Sequence, residues 1–258
     1  MKDLPPSSAV NMLPTAEDYV KERTPKKVKK VIISEKGETF YVRKDEKVFH
    51  TRKGTVDLSK ESTTLAGEQF FTFPTSQIDE YHNILRVAQM PPAKDMGMII
   101  AETGINKESL VTEAGAGSGG LTCFLAKIAK KVSSYEIRED YYEVVKKNIE
   151  FLELENVTLK NKDFNEANDK NQDAVILDMP SPKDCLSTAS KILKRGGFLV
   201  LYLPCITQVE ESVNSSKEFI HMKTIELIER EWHVEGMKVR PKSQGLMHSA
   251  FLVFLRKK

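Results

Sequence analysis

Three acids and one run of glycines are the residues of this sequence whose spacing points to chemistry. Glu136 closes the β-forming run Val132–Tyr135, Asp163 follows Asn156–Lys160, and Asp178 follows Ala174–Leu177. The glycines lie in Glu113-Ala114-Gly115-Ala116-Gly117-Ser118-Gly119-Gly120-Leu121-Thr122, directly after the apolar run Leu110–Thr112. Behind them Leu121, Phe124, Leu125 and Ile128 recur at helical spacing. A strand-to-helix turn is therefore expected, with glycine where a Cβ would block a ligand and with free helix N–H groups facing it. Gly115, Gly117 and Gly120 satisfy G-x-G-x-x-G, a pattern that alone also fits a tight turn with no ligand. Glu136, about 20 residues after Gly115, is placed to accept the ribose hydroxyls of an adenosine ligand.

The elements that must position these residues alternate. Runs of β-formers around 110–114, 132–135, 156–160, 174–177 and 198–203 are separated by amphipathic segments, Asp140–Leu154 and Leu186–Leu193 among them. That alternation predicts an α/β fold with a doubly wound, mostly parallel sheet and right-handed crossovers. In such a sheet the carboxyl ends of the strands converge on one crevice, so Glu136, Asp163 and Asp178 are expected beside the glycine turn. A helix is expected over Gln208–His221. Two last runs, Glu229–Arg240 and Ser249–Arg256, lack room for a crossover helix and are expected to pair antiparallel.

Ahead of this domain, Val31–Ile33 and Thr39–Val42 flank Glu35-Lys36-Gly37-Glu38 and read as a hairpin. Lys47–Thr51 and Gly54–Leu58 add short strands, with Phe70, Phe71 and Phe73 as core or interface. The expected organisation is a flexible arm over 1–25, a small β domain over 26–73 and the α/β domain over 74–258. Lys21, Arg23, Lys26, Lys27, Lys29 and Lys30 form a basic cluster, read either as a solvated face or as a phosphate contact.

Composition sets bounds on the function. The 258 residues are 40% hydrophobic and 29% charged, with a formal net charge of +2, as in a soluble globular protein with at most local basic patches. Cys123, Cys185 and Cys205 are far apart, which suits a reducing interior and offers no zinc spacing. No metal is called for. The N-terminus lacks an apolar signal core, and the longest apolar run, Phe198–Leu203, is too short to span a bilayer, so a cytoplasmic protein is expected.

Taken together, the motifs resemble the tRNA (adenine-N1)-methyltransferases that modify the T-loop, from roughly Val31 onward. The resemblance rests on Glu113–Thr122, Ser134-Tyr135-Glu136, Gln89-Met90 with Pro92, Lys94 and Asp95, and Tyr202, Pro204 and Gln208. Arg240-Pro241, His248 and Phe251–Lys257 also fit it, as does Asp57-Leu58-Ser59 in the β domain. The family pattern Leu-Pro-Glu-Pro-Trp is replaced after Asp178 by Met179-Pro180-Ser181-Pro182-Lys183, and Met247 replaces a glycine. The resemblance implies a seven-stranded Rossmann-like methyltransferase sheet ending in an antiparallel hairpin. It implies S-adenosylmethionine as methyl donor, S-adenosylhomocysteine as product, tRNA as substrate and a homotetramer. The residues assigned to the donor are Gly115, Gly117, Ser118, Gly119, Gly120, Leu121, Glu136, Tyr141, Asp163, Phe164 and Asp178. Asp178 is the expected catalytic residue, with Gln89, Tyr202 and His248 toward the target base. Competing readings are a nicotinamide-dependent dehydrogenase, a methyltransferase for a small molecule or protein, and a non-catalytic tRNA-binding subunit.

Overall fold

The computed structural model of the chain describes residues 23–243, 245 and 248–258. The greater part of the expected arm, Lys21 of the basic cluster and Met247 lie outside the described residues.

The N-terminal module contains β1 (Lys30–Ser34), β2 (Thr39–Val42), β3 (Val48–Thr51), β4 (Gly54–Asp57), β5 (Ser62–Leu65) and β6 (Glu68–Pro74). Four of these form an antiparallel sheet in the order β2-β1-β6-β5, and β3 pairs with β4 as a separate hairpin. Ile32, Val42, Val56, Leu58 and Phe70 make its core. Of the three phenylalanines only Phe70 is buried, while Phe73 is exposed. Lys27 joins the module to the rest of the chain, pairing with Glu80 and Glu153 and lying over the Phe151 ring.

The α/β domain begins with helices α1 (Gln77–Tyr81) and α2 (Ala93–Thr103). Then come β7 (Leu110–Ala114), α3 (Gly120–Ala126), β8 (Lys131–Tyr135), α4 (Glu139–Phe151), β9 (Val157–Lys160) and β10 (Gln172–Leu177). The chain continues through α5 (Leu186–Ile192), β11 (Leu193–Leu203), α6 (Ile206–Ser215), β12 (Phe219–Glu226), β13 (Trp232–Glu235), β14 (Lys238–Pro241) and β15 (Phe251–Lys257). Seven strands form one sheet in the order β12-β15-β11-β10-β7-β8-β9. The five from β11 to β9 are parallel, and β15 runs antiparallel to both of its neighbours, β11 and β12. Strand alternation buries both faces. Ala174, Ile176, Val200, Leu252 and Phe254 pack on the side of α2 and α3; Val175, Leu177, Leu199, Leu201 and Leu255 pack on the side of α5 and α6.

The closing antiparallel pair is built differently from the sequence expectation. The helix predicted over Gln208–His221 stops at Ser215, and Phe219 opens β12, which is the partner of β15. Phe219-Ile220-His221 fits helical spacing, but its pairing with β15 makes it part of the strand at the sheet edge. Glu229–Arg240 is not one strand either. It folds on itself, with Gly236 in the left-handed region (φ 53°) at the tip between β13 and β14.

Candidate functional site

The strand register builds the site as a row. Ala114 pairs with Tyr135 on one side and with Leu177 on the other, and Leu177 pairs with Leu201. One position further on, Glu136, Gly115, Asp178 and Tyr202 stand side by side at the carboxyl ends of β8, β7, β10 and β11. Ladder hydrogen bonds run up to that level: Gly115 N–H donates to Tyr135 O (3.1 Å) and Asp178 N–H to Ala114 O (2.9 Å).

Gly115 is required by this row. Its φ is 86°, and a Cβ there would stand 1.8 Å from the Asp178 carbonyl oxygen. Gly117, at φ 58°, aims its N–H at Glu136 Oε2 (2.8 Å), and Arg138 N–H donates to Oε1 (2.9 Å). Glu136 is thus a buried carboxylate held by two backbone donors, with lone pairs left over.

A cleft of about 430 Å³ opens over the row. Of the predicted residues it is lined by Gly115, Gly117, Glu136, Tyr141, Asp163, Phe164, Asp178 and Gln89. Asp163 caps the 3-10 turn Phe164–Glu166 by accepting from Asn165 N–H (2.7 Å). Phe164 meets Tyr135 edge to face, centroids 5.7 Å apart. Tyr141 lies under the Arg138 guanidinium at 3.7 Å. Burial pushes the Asp178 carboxyl up to about 7, and among the described residues no donor meets its oxygens. Behind the row, the buried Glu113 is also pushed up to about 7, by burial first; the hydroxyls of Thr122 and Ser134 oppose that rise, and the nearby Asp178 adds to it.

The other predicted residues are placed elsewhere. Ser118 faces away from the cleft: its Oγ accepts from Val87 N–H (2.9 Å) and Ala88 N–H (2.8 Å) and donates to Ala88 O (3.0 Å). It fastens the segment that carries Gln89. Gly119 caps α3, Gly120 lies against Met90, and Leu121 is in the core. Tyr202 is buried on the α2 side, its hydroxyl donating to Asp95 Oδ2 (2.9 Å). His248 lies beyond the cleft, its ring nitrogens facing Glu226 and the Pro204 carbonyl oxygen (2.9 Å), two acceptors that raise its pKa, the carbonyl more than the carboxylate.

Sequence reasoning missed Tyr135, Ile137, Arg138, Met179 and Pro180, which also line the cleft. Ile137 carries a legible signal. It is an apolar side chain, 66% exposed, directly after a strand-end acid, where a polar loop residue would be expected. Arg138 carried none, because its part depends on where Tyr141 and Asp140 fall on α4.

Comparison with known proteins gives the family and the fold. Residues 84–250 match the family described as "tRNA methyltransferase complex GCD14 subunit". The chain is 34% identical to "tRNA (adenine(58)-N(1))-methyltransferase TrmI" of Thermus thermophilus, over 86% of this chain and 94% of that protein. It is 29% identical to "tRNA (adenine(57)-N(1)/adenine(58)-N(1))-methyltransferase TrmI" of Methanocaldococcus jannaschii, over 88% of this chain and 94% of that protein. Among solved structures, the tRNA (m1A58) methyltransferase TrmI from Aquifex aeolicus has the same fold, with a TM-score of 0.79 at 24% identity, covering 92% of this chain and 99% of that one. A SAM-dependent O-methyltransferase from Thermotoga maritima superposes equally well, with a TM-score of 0.79 at 26% identity, covering 91% and 94% of the two chains. The chain belongs to the GCD14 family of tRNA methyltransferase subunits.

Proposed function

We propose that this chain is a tRNA (adenine-N1)-methyltransferase that moves a methyl group from S-adenosylmethionine to N1 of a T-loop adenine, either at position 58 alone, as in the Thermus relative, or at 57 and 58, as in the Methanocaldococcus relative. The observation that carries the reading is the row of Glu136, Gly115 and Asp178 under one cleft. It sets a carboxylate for a ribose beside a side-chain-free floor and a second carboxyl with no partner among the described residues. A dehydrogenase reading accounts for the glycines and Glu136, but leaves Asp178 and the antiparallel end of the sheet without a purpose.

The residues present fit a nucleoside donor. Gly115 keeps the floor clear, Glu136 has free lone pairs toward the cleft, and Asp163 with Phe164 offers an acceptor and an aromatic wall at its far end. When bound, S-adenosylmethionine supplies an activated methyl group, already a good electrophile. The protein's own work is placement and electrostatics. Gly117 and Arg138 N–H fix Glu136 so that it does not have to reorganise. Asp178, as a carboxylate, accepts from the N6 amino group and opposes the positive charge that develops on the methylated ring. A stacked tRNA base must leave its stack to reach that carboxyl. We place Gln89 at the entrance, on the segment that Ser118 fastens.

The module of residues 26–73 and its approach are proposed to contact tRNA phosphates. Residues 23–74 hold twelve Lys and Arg against seven Asp and Glu, whereas the whole chain is near neutral. A homo-oligomer, a tetramer by family resemblance, would pool these surfaces. Among the described residues no helix is long and apolar enough to cross a membrane, and we place the protein in the cytoplasm.

The test is incubation with isotopically labelled donor and unmodified tRNA transcript, followed by nucleoside analysis and mapping of the modified position. N1-methyladenosine in the T-loop is the expected product. Label in another nucleoside, or none with active donor-bound protein, overturns the reading.

A further inference from the structure

Asp178 is aimed by its backbone. Among the described residues no hydrogen bond reaches its carboxyl oxygens, so nothing on the side chain itself fixes where they point. The chain on the strand side is secured. Asp178 N–H donates to Ala114 O (2.9 Å), and the Asp178 carbonyl oxygen fills the space that Gly115 leaves open. Beyond Asp178 the chain has little to hold it. Met179 and Pro180 lie outside any helix or strand, and neither Pro180 nor Pro182 has an N–H to donate. Among the described residues one hydrogen bond reaches the backbone of Met179 and Pro180: Gln208 Nε2 donates to Pro180 O (2.8 Å).

Gln208 lies in the first turn of α6, and the other end of its amide is occupied as well. Oε1 accepts from Cys205 N–H (3.2 Å), the backbone donor just ahead of the helix. A backbone N–H only donates and a carbonyl only accepts, so the partners fix which way the amide is turned. One side chain therefore caps α6 and ties down the loop two residues beyond Asp178. Met179 and Pro180 line the same cleft as Asp178, so the tied segment is part of the site's wall. An exposed ion pair joins the same two elements further along, Lys183 Nζ to Glu211 Oε2 (2.9 Å), but pairs of that kind hold little.

We infer that Gln208 is a positioning residue for the reaction: by holding the Pro180 carbonyl it fixes the loop that aims the Asp178 carboxyl at the target base. This rests on the reading of Asp178 as the group that meets that base. Fixing a carboxyl through its backbone leaves its oxygens open to the substrate. A donor placed on Asp178 itself would occupy the lone pairs that the base needs.

Gln208→Glu separates the two roles of the side chain. One glutamate oxygen still accepts from Cys205 N–H, and a carboxylate in the first turn of a helix is favourable. The other oxygen faces the Pro180 carbonyl, acceptor against acceptor, and the loop is released. Gln208→Leu drops both bonds without adding a charge. Glu211→Gln breaks the Lys183 pair and leaves the Pro180 bond in place.

The experiment measures single-turnover methylation of unmodified tRNA transcript at saturating donor and tRNA, with calorimetric donor affinity and melting temperature taken on the same proteins. The Gln208 substitutions are made both in the wild type and in Asp178→Ala. We expect Gln208→Glu to lower the rate constant about tenfold, since misplacing a reacting group by about 1 Å costs up to roughly a hundredfold, with donor affinity and melting temperature no lower than in the wild type. Gln208→Leu should lose a similar factor and melt lower, and Glu211→Gln should stay within about twofold of the wild-type rate. In Asp178→Ala the Gln208 substitutions should cost nothing further, because the group they aim is gone. A wild-type rate in Gln208→Glu, or the same loss repeated in the Asp178→Ala background, would overturn the inference. A wild-type rate in Asp178→Ala alone would remove the reading of Asp178 and this inference with it, whereas a wild-type protein that makes no product counts against the proposed function.

Discussion

Glu136 and Asp178 end the strands on either side of β7 and line the same cleft, yet the fold treats the two carboxyls in opposite ways. Glu136 is buried and compensated, with one backbone N–H on each oxygen. Asp178 is less enclosed but has no donor among the described residues, and its carboxyl is pushed up to about 7 by burial alone. Two backbone donors stabilise a charge that is needed at all times, as for holding a ligand's hydroxyls. A carboxyl left without partners costs stability when charged, and is tolerated where its partner arrives only with the substrate. Under the proposed function, the difference separates the binding end of the cleft from the reacting end.

The largest expected effect follows from the uncompensated end. Asp178→Ala should lower the methylation rate constant at saturating donor by about 10²–10³-fold, the usual cost of deleting one preorganised electrostatic contact in a reacting centre. Donor affinity should stay within a few-fold of wild type, because Glu136 and the glycine turn are untouched. A comparable loss in donor affinity, measured by calorimetry, would erase the contrast between the two ends.

Glu136→Gln probes the compensated end and should show the reverse pattern. The carboxamide keeps one acceptor, but its N–H₂ must face the N–H of either Gly117 or Arg138, donor against donor. Donor affinity should fall by roughly tenfold to a hundredfold, the 1.5–3 kcal/mol of a charged hydrogen bond, while the rate at saturating donor stays near wild type. If the rate at saturation falls as far as in Asp178→Ala, Glu136 belongs to the reacting end as well.

How much of this was legible in the sequence depends on how local each signal is. The glycine turn and the acids at strand ends were legible because a strand followed by glycine, or by an acid, is written in consecutive residues. Their convergence followed from the parallel sheet. The antiparallel end of the sheet was legible as a class but not in its parts. Gly236 lies inside what looked like one β run, and Phe219–His221 mimics helical spacing, so only pairing with β15 decides which segment is the edge strand. Ser118 belongs to the glycine motif by sequence, but its hydroxyl turns back to Val87 and Ala88, a contact across about thirty residues that no local pattern announces. Asp95 was legible as part of a family motif. Its grip on Tyr202 and Ser249 depends on three separate elements meeting.

The smallest expected effect is on stability, and it tests whether Asp178 is as uncompensated as its surroundings imply. The folded chain holds the Asp178 proton up to about pH 7, whereas the unfolded chain releases it near the ordinary value of 3.8. Between those values the unfolded state binds fewer protons, so this group makes stability fall as pH rises through the window. Asp178→Asn removes the charge and with it the fall. Free of donor, the variant should match wild type near pH 4 and exceed it at pH 8 by on the order of 1–2 kcal/mol, a part of the full shift because the side chain is not wholly buried. Melting temperatures should then differ by roughly 2–8 °C at pH 8 and converge on acidification. Glu113 titrates in the same range, but it is present in both proteins and drops out of the difference to the extent that its coupling to Asp178 is weak. A variant no more stable than wild type at pH 8 would mean that the Asp178 carboxylate is stabilised in the free protein, and the contrast with Glu136 would be lost. A more stable but inactive variant would show that the reacting end of the cleft is kept at the expense of the fold.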